Sequence, residues 1–268
     1  MCRRHHSARC WQQAVLWIVF CAFSSASWSN PGVDWLESQR QASGEYAAVT
    51  DLTLPITGSF TVGWVYQALQ LPTGSETLAW LDAETIAQPL TEFVAQQVLL
   101  HPTDGVRNTA LIEVLLERMN DDGGFGDLQG YGSSVVDTAW VLEAFATAGE
   151  APADVVASAL GYLLDQQQAD GGWQYDEVNE TEVMVTAIVM RAIWRYREQF
   201  DVASALGDAE NFLLAQQQAD NSWGEQFESA WALLTLLPYS EDASHLDASV
   251  EALRQEQLAD GSWMGDVY

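Results

Sequence analysis

The stretch LLDQQQADGGWQ, Leu163 to Gln174, returns as LLAQQQADNSWGE, Leu213 to Glu225, and as LRQEQLADGSW, Leu253 to Trp263. A string that recurs with its turn and its tryptophan in register marks a repeat architecture. Aligned on the final aromatic, Trp173, Trp223 and Trp263 coincide. Phe125 joins them in VLLERMNDDGGF, where Asp122 and Gly123-Gly124 match Asp170 and Gly171-Gly172. Tyr46 joins them in WLESQRQASGEY, where Gln39 and Gln41 match Gln166 and Gln168. Successive anchors are 79, 48, 50 and 40 residues apart, so the first gap has room for a degenerate copy, sought around EFVAQQVLL, Glu92 to Leu100.

Each unit reads as two helices. An apolar-periodic helix such as Ala153 to Gln168 precedes the motif, and Asp-Gly ends it with a residue suited to the left-handed position. A more apolar helix follows the aromatic: Ser133 to Ala148, Glu180 to Tyr196, Glu225 to Leu237. Helices that are apolar nearly all round are buried, so these form an inner layer and the motif helices an outer one. The inner helices share a small hydroxyl residue followed by alanine: Thr138-Ala139, Thr186-Ala187, Ser229-Ala230. Stacked helix pairs of this kind predict an all-α fold, an α-α toroid made of a double ring of helix pairs. The motif residues Gln166, Gln168, Trp173, Gln216, Gln218, Trp223, Gln257 and Trp263 are expected to be structural. Their glutamines would bond loose backbone groups at the start of a neighbouring helix, with the aromatic packed over them.

The chain has 268 residues, 48% of them hydrophobic, which suffices for one sizeable domain with a core. Its net charge is −28, and all ten basic residues are arginine, so its surface repels nucleic acid. The N-terminus is of another kind. MCRRHHSAR is basic, Ala14 to Phe23 is a short apolar run, and SSASWSN supplies small residues. That order predicts a secretory signal peptide over residues 1–29, cut between Ala26 and Ser29, with the toroid domain over 30–268; an uncleaved anchor is the alternative. The expected protein is secreted or periplasmic, with no transmembrane span once processed. All three cysteines (Cys2, Cys10, Cys21) lie in this segment, so the processed chain has neither disulfide nor thiolate ligand.

The glutamine-rich helix end, Asp-Gly and tryptophan resemble the QW motif of squalene–hopene and oxidosqualene cyclases, and the same repeat occurs in protein prenyltransferase β-subunits. The resemblance covers Trp35 to Tyr268. It implies the toroid fold and a clamp role for the motif. Class II terpene cyclases of this group protonate an alkene through a DXDD motif followed by Thr-Ala. The matching string here is Ser134-Val135-Val136-Asp137-Thr138-Ala139, with Val136 at the donor's place. Asp137 is the candidate acid, and Trp64, Trp140 and Trp231 are candidate lining residues. The zinc of the prenyltransferases is not expected, because its cysteine ligand is missing and only His101 and His245 remain. Arg191, Arg195 and Arg197 read as a solvated helix end.

Two acidic features stand apart from the repeat. NDDGGFGD gathers Asp121, Asp122 and Asp127 in a glycine-rich loop, a loose oxygen-ligand set for calcium, though Asp-Gly is also what a turn needs. No other cofactor is expected. Each inner helix also opens with one acid: Asp137, Glu182, Glu228. These complement the helix dipole or form an acidic ligand-binding mouth. At the other end, the small-residue signature after Trp263 would begin at residue 269, beyond Tyr268. The last repeat is therefore expected to be open. Either the sequence is cut short, or a partner chain or second copy covers the repeat, or its helix docks differently.

The reading drawn from the sequence is an exported, non-catalytic binding or scaffold domain for an unidentified protein or small molecule. The alternative is a divergent class II terpene cyclase with Asp137 as acid or, less favoured, a saccharide-active toroid.

Overall fold

The computed structural model of the chain describes residues 31–46, 75–83, 89–101, 104–149, 151–176, 180–240 and 242–263. Residues 1–29 and Trp64 lie outside them. Among the described residues there are ten α-helices and no strand beyond isolated bridges. They are α1 (Pro31–Gln39), α2 (Ser75–Ala83), α3 (Thr91–Leu100), α4 (Gly105–Leu116), α5 (Val135–Ala148), α6 (Ala153–Asp165), α7 (Val183–Trp194), α8 (Ala203–Ala215), α9 (Gln226–Tyr239) and α10 (Asp247–Gln255). None is long and apolar enough to cross a membrane. The chain divides into two compact units: described residues 89–235, and those before 84 with those after 235.

In the larger unit the two layers separate by burial. Ten of the fourteen residues of α5 and nine of the twelve of α7 are buried, against four of thirteen in α6. So α5 and α7 are inner and α6 is outer, the alternation of the α-α toroid class. α3 packs on α5, and α5 on α7. Eight of the ten residues of α3 are buried, which makes it an inner helix. The segment from Glu92 to Leu100 is therefore not a hidden motif copy, because a motif helix is exposed along one side.

The aromatic closes the helix it follows. The Trp173 indole Nε1–H donates to the Leu163 carbonyl at 2.7 Å, and Trp223 repeats this bond on Leu213. It thereby fills one of the carbonyls that a helix end leaves without a partner. The backbone N–H of Trp173 donates to Thr186 Oγ1 at 3.0 Å, that of Phe125 to Thr138 Oγ1 at 2.9 Å, and that of Trp223 to Ser229 Oγ at 2.9 Å. The hydroxyl signature of the inner helices is the acceptor for the aromatic's own N–H.

The glutamine expectation needs correcting. Gln166 and Gln216 are exposed helix C-caps, and the Gln168 side chain turns back to the Gln166 carbonyl at 2.9 Å. Gln218 is exposed too. The residue between them does the bridging: Gln167 Nε2 donates to Gly171 O and to Ala205 O of α8, each at 2.9 Å. The helix stops at Asp165, so only a side chain past that point swings toward the neighbouring outer helix. Gln257 stands at the same place in its motif and donates to Gly261 O at 2.8 Å.

The turn glycines are needed twice over. Gly171 has φ +91°, and a Cβ there would strike the Asp208 carbonyl in α8, as one on Gly123 would strike the Ser158 carbonyl in α6, so these motif turns abut the next outer helix. In the smaller unit the Gly44 turn abuts Glu76 in the same way, and Thr77 Oγ1 donates to Gly44 O at 2.7 Å. There the last motif also docks: a Cβ on Gly261, φ +93°, would strike the Pro31 carbonyl. The first described helix, α1, thus stands where the next outer helix belongs. The inner partner of the last repeat would lie beyond Trp263, outside the described residues.

Candidate acid site on the inner helices

Ser134 is the N-cap of α5. Its hydroxyl accepts the Asp137 N–H at 3.0 Å and donates to Asp137 Oδ2 at 2.6 Å. The cap therefore fixes both the helix start and the carboxyl rotamer. Asp137 is 5% exposed, whereas Val136 beside it is half-buried.

Asp137 does not stand alone. The Asp127 carboxyl lies within hydrogen-bond reach, and Glu92 of α3 adds a second nearby charge. Burial first, then Asp127 and Glu92, push the Asp137 carboxyl up to about 7, against a downward pull from Ser134. Glu92 is pushed up as well, by burial and by Asp127, while Gln96 Nε2 donates to it at 2.7 Å and opposes the rise. Asp127 reaches this place because its loop is tied to the start of α3. Thr91 N–H donates to Asp127 O at 2.8 Å, and Thr91 Oγ1–H to Gly126 O at 2.6 Å.

Such a cluster retains a proton that isolated carboxylates would lose at neutral pH. Two neighbouring carboxyls with one proton between them form an acid–base pair.

The rest of the acidic end is looser. Glu182 caps α7 and is pushed up by burial and then by the charges of Glu228 and Asp176. Tyr175, more than half exposed, has its hydroxyl pushed up by burial and by Asp127, Asp137, Glu92 and Asp176. Of the acids opening the inner helices, Glu182 is thus repelled by Glu228, while Asp137 is repelled by Asp127 and Glu92.

The calcium set comes apart. Asp122 Oδ1 accepts from Gly124 N at 2.9 Å and from Ser133 Oγ at 2.7 Å, which fastens the turn. Asp170, Asp220 and Asp260 take the same turn role in their motifs. Asp121 is exposed, and Asp127 belongs to the acid cluster. Among the described residues no group of three or more His, Cys, Asp or Glu is placed to hold a metal ion.

Trp140, one turn along α5 from Asp137, meets Trp231 edge-to-face at 6.4 Å. Arg191 sits over the Trp231 ring, 5.7 Å from its centroid. Six residues beyond Asp137, about 9 Å at the helical rise, the buried Glu143 faces Arg191 at 3.6 Å and Arg195 at 4.0 Å. Arg191 is thus an inner-layer ion partner, not a solvated end. Arg195, the exposed C-cap of α7, and Arg197, stacked on Trp194 at 3.9 Å and paired with exposed Glu198, fit that description.

No family model matches the chain. Two curated proteins do. Mouse lanosterol synthase is 29% identical over 177 residues, 56% of this chain and 24% of that protein. Drimenyl diphosphate synthase of Streptomyces showdoensis is 26% identical over 202 residues, 69% of this chain and 37% of that protein. The chain is similar to the terpenoid cyclases. It spans only about a quarter to just over a third of the length of those terpenoid cyclases. Among solved structures, a protein from Actinoplanes shares the toroid fold, with TM-score 0.67 and 20% identity over 87% of this chain and 81% of that one. The type II terpene cyclase MstE from Scytonema, without ligand, has TM-score 0.39 and 15% identity over 94% of this chain and 82% of that one.

Proposed function

We propose that the chain is a divergent acid-initiated terpene cyclase domain in which Asp137 donates the proton. One observation carries the reading: Asp137 is buried and pushed up to about 7 with Asp127 within hydrogen-bond reach. Val136 leaves the usual donor's place without a carboxyl. Asp127, brought in by the glycine-rich loop, supplies a second carboxyl from elsewhere in the chain. In the reaction, the Asp137 O–H proton passes to an alkene carbon of a linear isoprenoid, and the C=C electron pair forms the new C–H bond. The cation left on the neighbouring carbon is attacked by the next double bond. Asp127 and Ser134 then hold the Asp137 carboxylate until a proton returns from the final cation. Trp140 gives this path an apolar wall. The basic, apolar, small-residue order of residues 1–29 supports action outside the cytoplasm.

A non-catalytic binding or scaffold role is the second reading, and a different contact favours it. The Arg191 guanidinium already occupies a face of Trp231, which repels a carbocation there. Squalene, farnesyl diphosphate and an acidic polysaccharide, incubated separately with the chain, distinguish these readings by product analysis. The cyclase reading expects a cyclised isoprenoid, with yield about 10²–10⁴-fold lower in Asp137→Asn, the usual weight of a positioned acid. Absence of product from both isoprenoids overturns it in favour of binding. Cleaved polysaccharide would point to a saccharide-active enzyme.

A further inference from the structure

Seven residues before its aromatic, the motif carries Gln39, Gln166, Gln216 or Glu256 in four copies. None of these is buried. In the copy that leads into the acid, the same place holds Arg118, only 8% exposed. A buried guanidinium is costly unless charges or acceptors meet it. Its Nη1 donates to Thr91 Oγ1 at 2.9 Å. Thr91 directly precedes Glu92, and its N–H and hydroxyl hold the carbonyls of Asp127 and Gly126. Arg118 therefore reaches the junction from which both carboxyls flanking Asp137 spring. Around Asp137 stand Asp127 from the loop, Glu92 from α3, Ser134 from its own cap, Tyr175 from the loop before α7, and Arg118 from the end of α4. Arg118 is the one cation in that set.

We infer that Arg118 is the positioning residue of the acid: a buried cation that replaces the motif glutamine and sets how tightly Asp137 holds its proton. Its meaning for catalysis rests on the cyclase reading, but its effect on Asp137 does not. A positive charge beside a carboxyl favours the ionised form, so Arg118 limits how far burial and two carboxylates raise Asp137. Without it the acid would hold its proton more firmly.

The test is the titration of Asp137, followed by carboxyl ¹³C resonances in the full chain and assigned by difference against Asp137→Asn. Arg118→Gln restores the residue the motif carries elsewhere, and Arg118→Met fills the same length without charge. In whichever of the two folds, the Asp137 midpoint is expected to rise by about one pH unit, as loss of an adjacent opposite charge requires. Arg118→Lys, which keeps the charge, is expected to titrate like the parent. A midpoint that stays or falls in the neutral variants, or rises equally in Arg118→Lys, overturns the inference. A rising midpoint in a chain that cyclises nothing keeps the inference and removes the cyclase reading.

Discussion

Replacing Trp173 by alanine is expected to cost about 3–5 kcal/mol of stability, and replacing Trp263 roughly 1–2 kcal/mol. The two make the same hydrogen bond, to the carbonyl ten residues earlier, at 2.7 and 2.8 Å. They differ in burial: Trp173 is 0% exposed and Trp263 39%. A net hydrogen bond contributes about 1 kcal/mol, and the cavity left by a fully buried indole accounts for the rest. Urea unfolding of both variants reads the difference. Equal losses would mean that the indole bond, not burial, makes the motif strong.

The second large effect is one of pH. Asp137 moves from an ordinary carboxyl value when unfolded to about 7 when folded. Between about pH 4 and 7 the folded chain binds more protons at this site, so the site's contribution to stability falls as pH rises through that window. Above pH 7 the cost is constant, and below pH 4 it is absent. Asp137→Asn removes the charge while retaining an oxygen for the Ser134 hydroxyl and offering an N–H to Asp127. The variant is expected to be more stable than the parent at pH 8, on the order of 2–4 kcal/mol. At pH 4 the two should be nearly equal. The same substitution that removes the acid therefore stabilises the fold. Unfolding curves for both chains at pH 4, 6 and 8 test this, and a variant weaker than the parent at pH 8 would contradict it.

Much of this was legible in the string around Trp173. Recurrence of Gln, Asp-Gly and an aromatic defines the helix pairs, and apolarity all round the segment at Val135 marks it as inner. Asp137 could be singled out because Thr-Ala follows it. The bridging glutamine could not, because three adjacent glutamines differ only in where the helix stops, and the stop at Asp165 sends Gln167 rather than Gln166 to α8. Nor could the company of Asp137. Thr91 and Asp127 meet across 36 residues of sequence, and no local pattern records that approach. Arg118 was visible as a charged residue in a glutamine column, a departure whose sense depends on Thr91 being opposite. The docking of Gly261 on Pro31 joins residues 230 positions apart, which the repeat itself does not encode.

The most direct test is the protonation state of Asp137 in the parent chain, read from its carboxyl ¹³C resonance across pH 3 to 9. A midpoint near 7 is expected, well above the ordinary aspartate value. A midpoint near 4, the ordinary aspartate value, would mean that the acid is ionised at neutral pH, and the proposed proton donor would be lost with it.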